Sequence, residues 1–250
     1  MNARPQLKAK AISTFLSKGR RPVQEDHLLV DREKGVFVVA DGFGGPVCGV
    51  AAAKNACEAV RNFLFKEAGD LEATLPFVIK NYFSLAGNVL FNALIHANRK
   101  VTSMNKGKTV HEKGGASVLA GFIDGNLLSL ANVGTCTAFL FRHDQVVELV
   151  VPRSFGRLVD PFAKRVHADY QYPLMALGMS EDLEPEIIEY RIQAGDWLLL
   201  GTDGFPKELV EEVILIKQKK FKFEESANHF THFLNQWTFE DNAAISLVIL

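Results

Sequence analysis

Cysteine is scarce in this 250-residue sequence. Its three cysteines, Cys48, Cys57 and Cys136, are an odd number, and none of them forms a CxxC pair. A disulfide framework requires paired cysteines, and a cysteine zinc site requires closely spaced ones. The cysteine content therefore argues against both, and it favours a reducing compartment.

Long apolar runs and a large net charge of either sign are also missing. No uninterrupted apolar stretch approaches the roughly 20 residues that span a bilayer, and the first residues lack the apolar core of a signal peptide. The 28 basic and 29 acidic residues give a formal net charge of −1. The basic run at 217–222 is typical of a solvated face. We therefore expect a cytoplasmic protein with no nucleic-acid partner and no membrane partner.

The chain has no Pro-, Ser- or Gly-rich linker and no internal repeat. Its hydrophobic residues make up 48% of the sequence, which is enough to build a sizeable core at this length. We predict a single domain over residues 1–250, and we expect it to be a monomer.

Apolar runs with strand character are frequent, whereas helical periodicity is confined to separate blocks. Strands are predicted at 9–16, 27–30, 35–40, 116–123, 127–133, 136–141, 146–150, 186–192, 197–201 and 243–250. Helices are predicted at about 47–66, 71–105 with a break at Gly87, 206–218 and 224–236. Residues 152–183 lack periodicity and are predicted to form a long loop beside a site. This grouping predicts an α+β fold with separate sheet and helix layers.

Acidic residues stand beside turn residues at the ends of several predicted strands. The motifs are Glu25-Asp26, Asp41-Gly42-Phe43-Gly44-Gly45, Thr202-Asp203-Gly204 and Asp241-Asn242. Taken singly, each is typical of a turn, a helix cap or a solvated surface. Hard divalent cations, however, prefer oxygen ligands, and the loops at strand ends can bring distant carboxylates together. The joint pattern therefore predicts a metal site.

The same motifs, preceded by Arg21-Pro22-Val23-Gln24, resemble in order and spacing those of the metal-dependent protein serine/threonine phosphatases of the 2C type. The likeness covers nearly the whole chain. It is greatest to the compact bacterial members, which have methionine where this chain has Phe43. The resemblance implies a four-layer α/β/β/α sandwich, in which helices flank two antiparallel sheets, with two Mn²⁺ or Mg²⁺ ions at one end.

The resemblance also implies roles for individual residues. Asp41 would bridge the two ions, and Asp203 and Asp241 would complete the ligands of one of them. Glu25 and the backbone carbonyl of Gly42 would hold the other.

Two further residues and a reaction follow from the same resemblance. Arg21 would grip the substrate phosphate, for which a planar guanidinium is well suited. Asp26 would lie behind the metal ligands. A hydroxide that bridges the metals at Asp41 would attack phosphorus directly. The expected substrates are phosphoserine and phosphothreonine in proteins, within a signalling system that includes an opposing kinase.

Several positions depart from the family pattern. The chain has Gly134-Thr135-Cys136-Thr137 where Gly-Asp-Ser-Arg is usual, so an acid and a base are lost together. Lys207 occupies the position of a carboxylate that binds a third ion in many relatives, which makes a third ion doubtful. His111 or Glu112 would be candidates for the other ligand of that ion, although a surface loop is the plainer interpretation. Phe43 replaces a histidine of the animal members and cannot protonate a leaving group.

Two other functions remain open. The chain would be a pseudophosphatase, a phosphoprotein-binding regulatory module, if the changes at Thr135, Thr137 and Lys207 abolish turnover. Retention of Glu25, Asp41, Asp203 and Asp241 argues against this reading. A phosphatase of small phosphoesters is the other alternative, but no motif indicates nucleotide or sugar recognition.

Overall fold

A computed structural model describes residues 7–67, 78–160 and 172–250. The strands are β1 (Ala11–Ser17), β2 (His27–Asp31), β3 (Val36–Phe43), β4 (Gly115–Asp124), β5 (Leu127–Val133), β6 (Thr137–Arg142), β7 (Gln145–Val150), β8 (Glu186–Arg191), β9 (Trp197–Gly201) and β10 (Ala243–Ile249). The α-helices are α1 (Cys48–Glu67), α2 (Leu85–Met104), α3 (Phe155–Val159), α4 (Glu208–Gln218) and α5 (Phe223–Gln236).

The strands form two five-stranded sheets. One sheet has the order β1-β10-β9-β6-β7, and the other has the order β2-β3-β4-β5-β8. Every pair of neighbouring strands is antiparallel. Helices α1 and α2 cover the second sheet, and α4 and α5 cover the first. The predicted four-layer α/β/β/α sandwich is therefore confirmed.

Strand β3 shows why its sequence is apolar at consecutive positions. Val36, Val38 and Ala40 pack beneath the helices α1 and α2. Phe37 and Val39 point the other way, into the core between the sheets. Since successive side chains of a strand face opposite sides, a strand at the centre of four layers must be apolar on both. This placement fixes Asp41 near the end of a buried strand.

The hairpin predicted around residues 124–126 is present as β4 and β5. Gly125 adopts a positive φ of 61°, as a tight turn requires. The four predicted helical blocks each contain a helix, with one difference in extent. The helix predicted for 71–105 begins only at Leu85, and part of the prediction, residues 71–77, lies outside the described residues.

The start of α2 is set by Ser84, whose side-chain oxygen accepts a hydrogen bond from the Gly87 backbone N–H at 3.1 Å. A serine cap of this kind satisfies one of the free donors of the first turn. The predicted break at Gly87 was wrong. Gly87 lies inside the helix, where it leaves room for Glu189 on β8: a Cβ atom would lie 2.6 Å from the Oε1 atom of that side chain.

The loop predicted for 152–183 is partly structured. It contains the short helix α3 and an antiparallel bridge between Ser154 and Pro173. A second bridge joins Leu177 to Ala116 at the start of β4. Residues 161–171 of the prediction lie outside the described part of the chain. Among the described helices, none has both the length and the apolar character needed to cross a membrane.

Candidate functional site

The acidic motifs converge at one edge of the sandwich. Asp41 lies near the end of β3, and Glu25 and Asp26 lie just before β2, which pairs with β3. In the other sheet, Asp203 follows β9 and Asp241 precedes β10, and these two strands are hydrogen-bonded neighbours. The facing sheets therefore bring together carboxylates that are more than 200 positions apart in the sequence.

Asp26 links the two sheets. The hydroxyl of Thr202 donates a 2.6 Å hydrogen bond to Asp26 Oδ2 and accepts one of 2.9 Å from the Ala244 backbone N–H. The other oxygen, Asp26 Oδ1, is buried and has no hydrogen-bond partner among the described residues. The pKa of Asp26 is raised to about 7, mainly because its carboxyl group is buried.

Glu25 is held so that one carboxylate oxygen is buried without a partner. Its backbone N–H donates to the Asn242 side-chain oxygen at 2.8 Å, which fixes the residue against the loop before β10. Its Oε1 atom is buried and makes no hydrogen bond to any described residue. Burial raises the pKa of the Glu25 carboxyl group. An orphaned buried carboxylate oxygen is costly unless a cation or proton satisfies it.

Glycines let the backbone close around Glu25. A Cβ atom on Gly42 would lie 2.2 Å from the Gly49 carbonyl oxygen and 2.7 Å from that of Glu25. A Cβ atom on Gly49 would lie 2.4 Å from Glu25 Oε1. At Gly42 the close atoms belong to the backbone, so only glycine fits there, and Gly49 leaves room for the carboxylate; together the two glycines form a cradle around Glu25.

Like charge accumulates at this edge. Burial, followed by repulsion from Asp203 and Asp26, raises the pKa of Asp41 well above its usual value. Asp203 as a residue is exposed, but its carboxyl group is buried. This burial, together with the nearby charge of Asp241, raises the pKa of Asp203 to about 6. Carboxylates that raise each other's pKa form a site that favours protons or cations.

Asp241 is paired with Arg21. The guanidinium donates from Nε to Asp241 Oδ1 at 2.7 Å and from Nη2 to Oδ2 at 2.5 Å. One residue away, Arg20 and Glu240 form a parallel ion pair of 2.9 Å. The structure therefore brings the predicted phosphate-binding arginine to the cluster but joins it to one of the predicted metal ligands.

The described residues contain no group of three or more His, Cys, Asp or Glu side chains already arranged to hold a metal ion. The predicted ligands nevertheless lie at one edge of the sandwich, where their carboxyl groups interact with one another. Of these ligands, Asp241 has both carboxylate oxygens engaged by the Arg21 fork.

Thr135 is a contact of Asp41 that sequence reasoning did not identify. Its buried hydroxyl lies 3.5 Å from Asp41 Oδ2 and 3.1 Å from the Ser117 hydroxyl. From the sequence it is recognisable only as the position of a lost aspartate, since nothing in the sequence shows that β4 places Ser117 beside Asp41. Thr202 and Asn242 were likewise missed as supporting residues, although each is adjacent to a predicted ligand.

The residues considered for a third ion do not form a site. The Oε2 atom of Glu112 accepts hydrogen bonds from the Thr109 backbone N–H at 3.0 Å and from its hydroxyl at 2.9 Å. His111 is exposed in the same short 3-10 turn. Lys207 is exposed just before α4 and lines a cavity of about 620 Å³ together with Asp203 and Thr135.

The arrangement of two antiparallel sheets between paired helices is shared with solved structures of serine/threonine phosphatases. Stp1 from Staphylococcus aureus has the same fold with a TM-score of 0.77 and 18% identity, over 100% of this chain and 98% of that one. The catalytic domain of PstP, solved in complex with two manganese ions, has a TM-score of 0.73 and 19% identity, over 96% and 98% of the two chains.

Sequence comparison gives a related result. The serine/threonine protein phosphatase PstP of Mycobacterium tuberculosis is 25% identical over 186 residues, which are 72% of this chain. The aligned part is 33% of PstP, so the chain spans about a third of the length of this curated relative. No protein-family profile matches the sequence. Together, these comparisons confirm the resemblance inferred from the motifs.

Proposed function

We propose that this chain is a metal-dependent phosphatase that hydrolyses phosphoserine and phosphothreonine in proteins, with residues 1–250 as one catalytic domain. The observation that carries the proposal is the buried carboxylate oxygen of Glu25, which has no partner among the described residues and lies in a glycine cradle beside Asp41. A cation completes such an arrangement, whereas a purely structural carboxylate is normally hydrogen-bonded.

The donor set fits divalent cations. All of the proposed ligands offer oxygen, as hard cations such as Mg²⁺ and Mn²⁺ prefer. Glu25 and the Gly42 carbonyl would hold one ion, Asp203 and Asp241 would hold the other, and Asp41 would contact both. PstP is a relative whose catalytic domain contains two manganese ions, which supports the same count here. Two divalent cations held there would supply Lewis acidity, lowering the pKa of a water molecule enough for attack on phosphorus at neutral pH.

The remaining residues of the site would orient ligands and substrate. Thr202 fixes Asp26 between the sheets, and Thr135 contacts Asp41, so each would limit the movement of a carboxylate. Arg21 would bind the substrate phosphate through its planar fork. The positive charge of Lys207 disfavours a third ion beside Asp203.

The wider role is a further part of the proposal. A cytoplasmic monomer that reverses the action of a serine/threonine kinase in a signalling pathway fits an enzyme of this type. A pseudophosphatase is the second candidate. Lys207 lines the same cavity as Asp203, and its positive charge disfavours a third ion there.

Hydrolysis of a phosphothreonine peptide, with and without millimolar Mn²⁺, tests the proposal. We expect Mn²⁺-dependent phosphate release by the wild type and its loss in Asp203→Asn. Asp124→Asn is the matched control, because it makes the same chemical change in the exposed turn between β4 and β5. Wild-type protein that binds Mn²⁺ but releases no phosphate would instead support the pseudophosphatase.

A further inference from the structure

Both oxygens of Asp241 are engaged within the chain. Arg21 donates one hydrogen bond to each of them, and the Asn242 backbone N–H donates a second one of 2.8 Å to Oδ1. A guanidinium fork of this kind lies in the plane of the carboxylate and covers its outer edge. A metal ion that approaches Asp241 from that edge uses the same lone pairs as the guanidinium, so the two cations compete there.

The Arg21 pair is not needed to hold the two loops together. The Asn242 side-chain nitrogen donates to the carbonyl oxygens of Lys18 at 2.8 Å and Val23 at 2.9 Å, which fastens the loop before β2 to the loop before β10. A Cβ atom on Gly19 would lie 2.3 Å from the Asp241 carbonyl oxygen, so the two backbones are also in close contact. The side chain of Arg21 is therefore able to move while the loops stay in place.

Arg21 interacts with more than one carboxylate of the acidic edge. Besides its fork with Asp241, its charge acts on Asp203 and Glu25. The Arg21 and Asp241 side chains are 60% and 39% exposed, so the pair is open to water and to exchange. Exposed ion pairs contribute little to stability, and a divalent cation with several carboxylate ligands can displace one.

We propose that Arg21 and a divalent cation compete for Asp241, so that metal binding releases the guanidinium for the substrate phosphate. This inference rests on the proposed function. Arg21 would then have two successive partners. The first is the Asp241 carboxylate, and the second, once the metal ion is bound, is the substrate phosphate. Metal binding would thereby precede productive binding of the substrate.

Calorimetric titration of the metal-free protein with MnCl₂ tests this competition without any measurement of activity. If Arg21 competes with the metal, Arg21→Ala binds Mn²⁺ more tightly than the wild type, by about two- to fivefold for the loss of an exposed pair. If Arg21 instead orients Asp241 for the metal, the same substitution weakens binding. An unchanged or weaker affinity would overturn the proposal.

Arg20→Ala is the matched control, since it removes the same charge from the neighbouring pair with Glu240. We expect it to leave the Mn²⁺ affinity unchanged. Equal tightening in both variants would reflect general loss of positive charge and would also overturn the competition. Circular dichroism checks the fold, and Arg21→Gln, which keeps a polar side chain without the charge, must tighten binding as Arg21→Ala does.

The outcome also separates this inference from the proposed function. Wild-type protein that binds no Mn²⁺ contradicts both. Wild-type protein that binds Mn²⁺ and hydrolyses phosphothreonine, with no tightening in Arg21→Ala, retains the phosphatase and removes only the competition.

Discussion

The aspartates at the two ends of β9 have different surroundings. Asp196, just before the strand, is 1% exposed and is bonded by Arg142 at 2.6 and 3.0 Å and by the Gln193 backbone N–H at 2.9 Å. At the other end lie Asp203 and its neighbours, where no salt bridge reaches Glu25, Asp26 or Asp41 from any described residue. The aspartate at one end is neutralised by the chain itself, whereas at the other end Asp241 pairs with Arg21 and the remaining carboxylates have no ion-pair partner among the described residues.

This difference separates a structural carboxylate from a candidate ligand. A buried carboxylate that only stabilises the fold is surrounded by donors from the same chain. Carboxylate oxygens without a partner among the described residues, such as Glu25 Oε1 and Asp26 Oδ1, destabilise the protein where like charges meet unless a proton or a cation binds. The end of the sandwich that carries Asp41 is therefore the end where we expect ions.

The largest expected effect is on catalysis. Asp41→Asn should reduce Mn²⁺-dependent hydrolysis by more than about a hundredfold, since loss of a ligand exceeds the effect of losing a residue that merely supports one. The fold should remain intact, because the substitution removes repulsion and leaves the packing of β3 unchanged. Kinetics with a phosphothreonine peptide measure the effect, and activity near that of the wild type would contradict the role of Asp41.

The next effect is on stability at the opposite end of β9. Asp196→Asn should lower the free energy of unfolding by about 2 to 3 kcal/mol, because it leaves the partly buried Arg142 without its partner. Urea denaturation measures the change, and Mn²⁺ affinity should not alter. A loss of Mn²⁺ binding in this variant would show that the two ends are not independent.

A smaller effect concerns pH. In the folded metal-free protein, the pKa of Asp26 is raised to about 7 and that of Asp203 to about 6. An unfolded aspartate has a pKa of about 3.9. Between these values the folded state binds more protons than the unfolded state, so stability falls as pH rises from about 4 to 7.

We therefore expect the melting temperature of the metal-free protein to be higher at about pH 5 than at about pH 8, by roughly 3 °C or more. Saturating Mn²⁺ should weaken or reverse this trend, because metal binding favours ionised carboxylates. Scans in a chelator and in Mn²⁺ make the comparison. Metal-free protein that becomes more stable as the pH rises through this range would contradict the raised pKa values of Asp26 and Asp203.

The smallest effect is expected at Thr135. Its 3.5 Å contact with Asp41 is long for a hydrogen bond, so Thr135→Val should lower kcat by only about three- to tenfold. Thr135→Ser keeps the hydroxyl and should restore most of the loss. If valine and serine behave alike, the hydroxyl has no part in positioning Asp41.

Much of the fold was predictable because its signals are local. The apolar run of β3 and the Asp124-Gly125 turn are each encoded within a few residues. The start of α2 was not predicted, because apolar residues before Ser84 imitate helical spacing. The cap that sets it is a single side-chain contact, which a periodic pattern does not show.

The candidate site was predicted as a set of motifs but not as a geometry. Asp41 and Gly42 carry a recognisable local pattern, and the order of the motifs indicated their convergence. The fork between Arg21 and Asp241 joins residues 220 positions apart, so no local signal announces it. The same holds for the bond from Thr202 to Asp26, which depends on how the two sheets face each other.

The central claim is that the acidic edge of the sandwich binds two metal ions. Its most direct test is anomalous diffraction from crystals of the wild-type protein grown with MnCl₂. We predict two manganese peaks within coordination distance of Asp41, one of them also beside Glu25 and the other beside Asp203. Manganese absent from this edge, in protein saturated with the metal, would contradict the account.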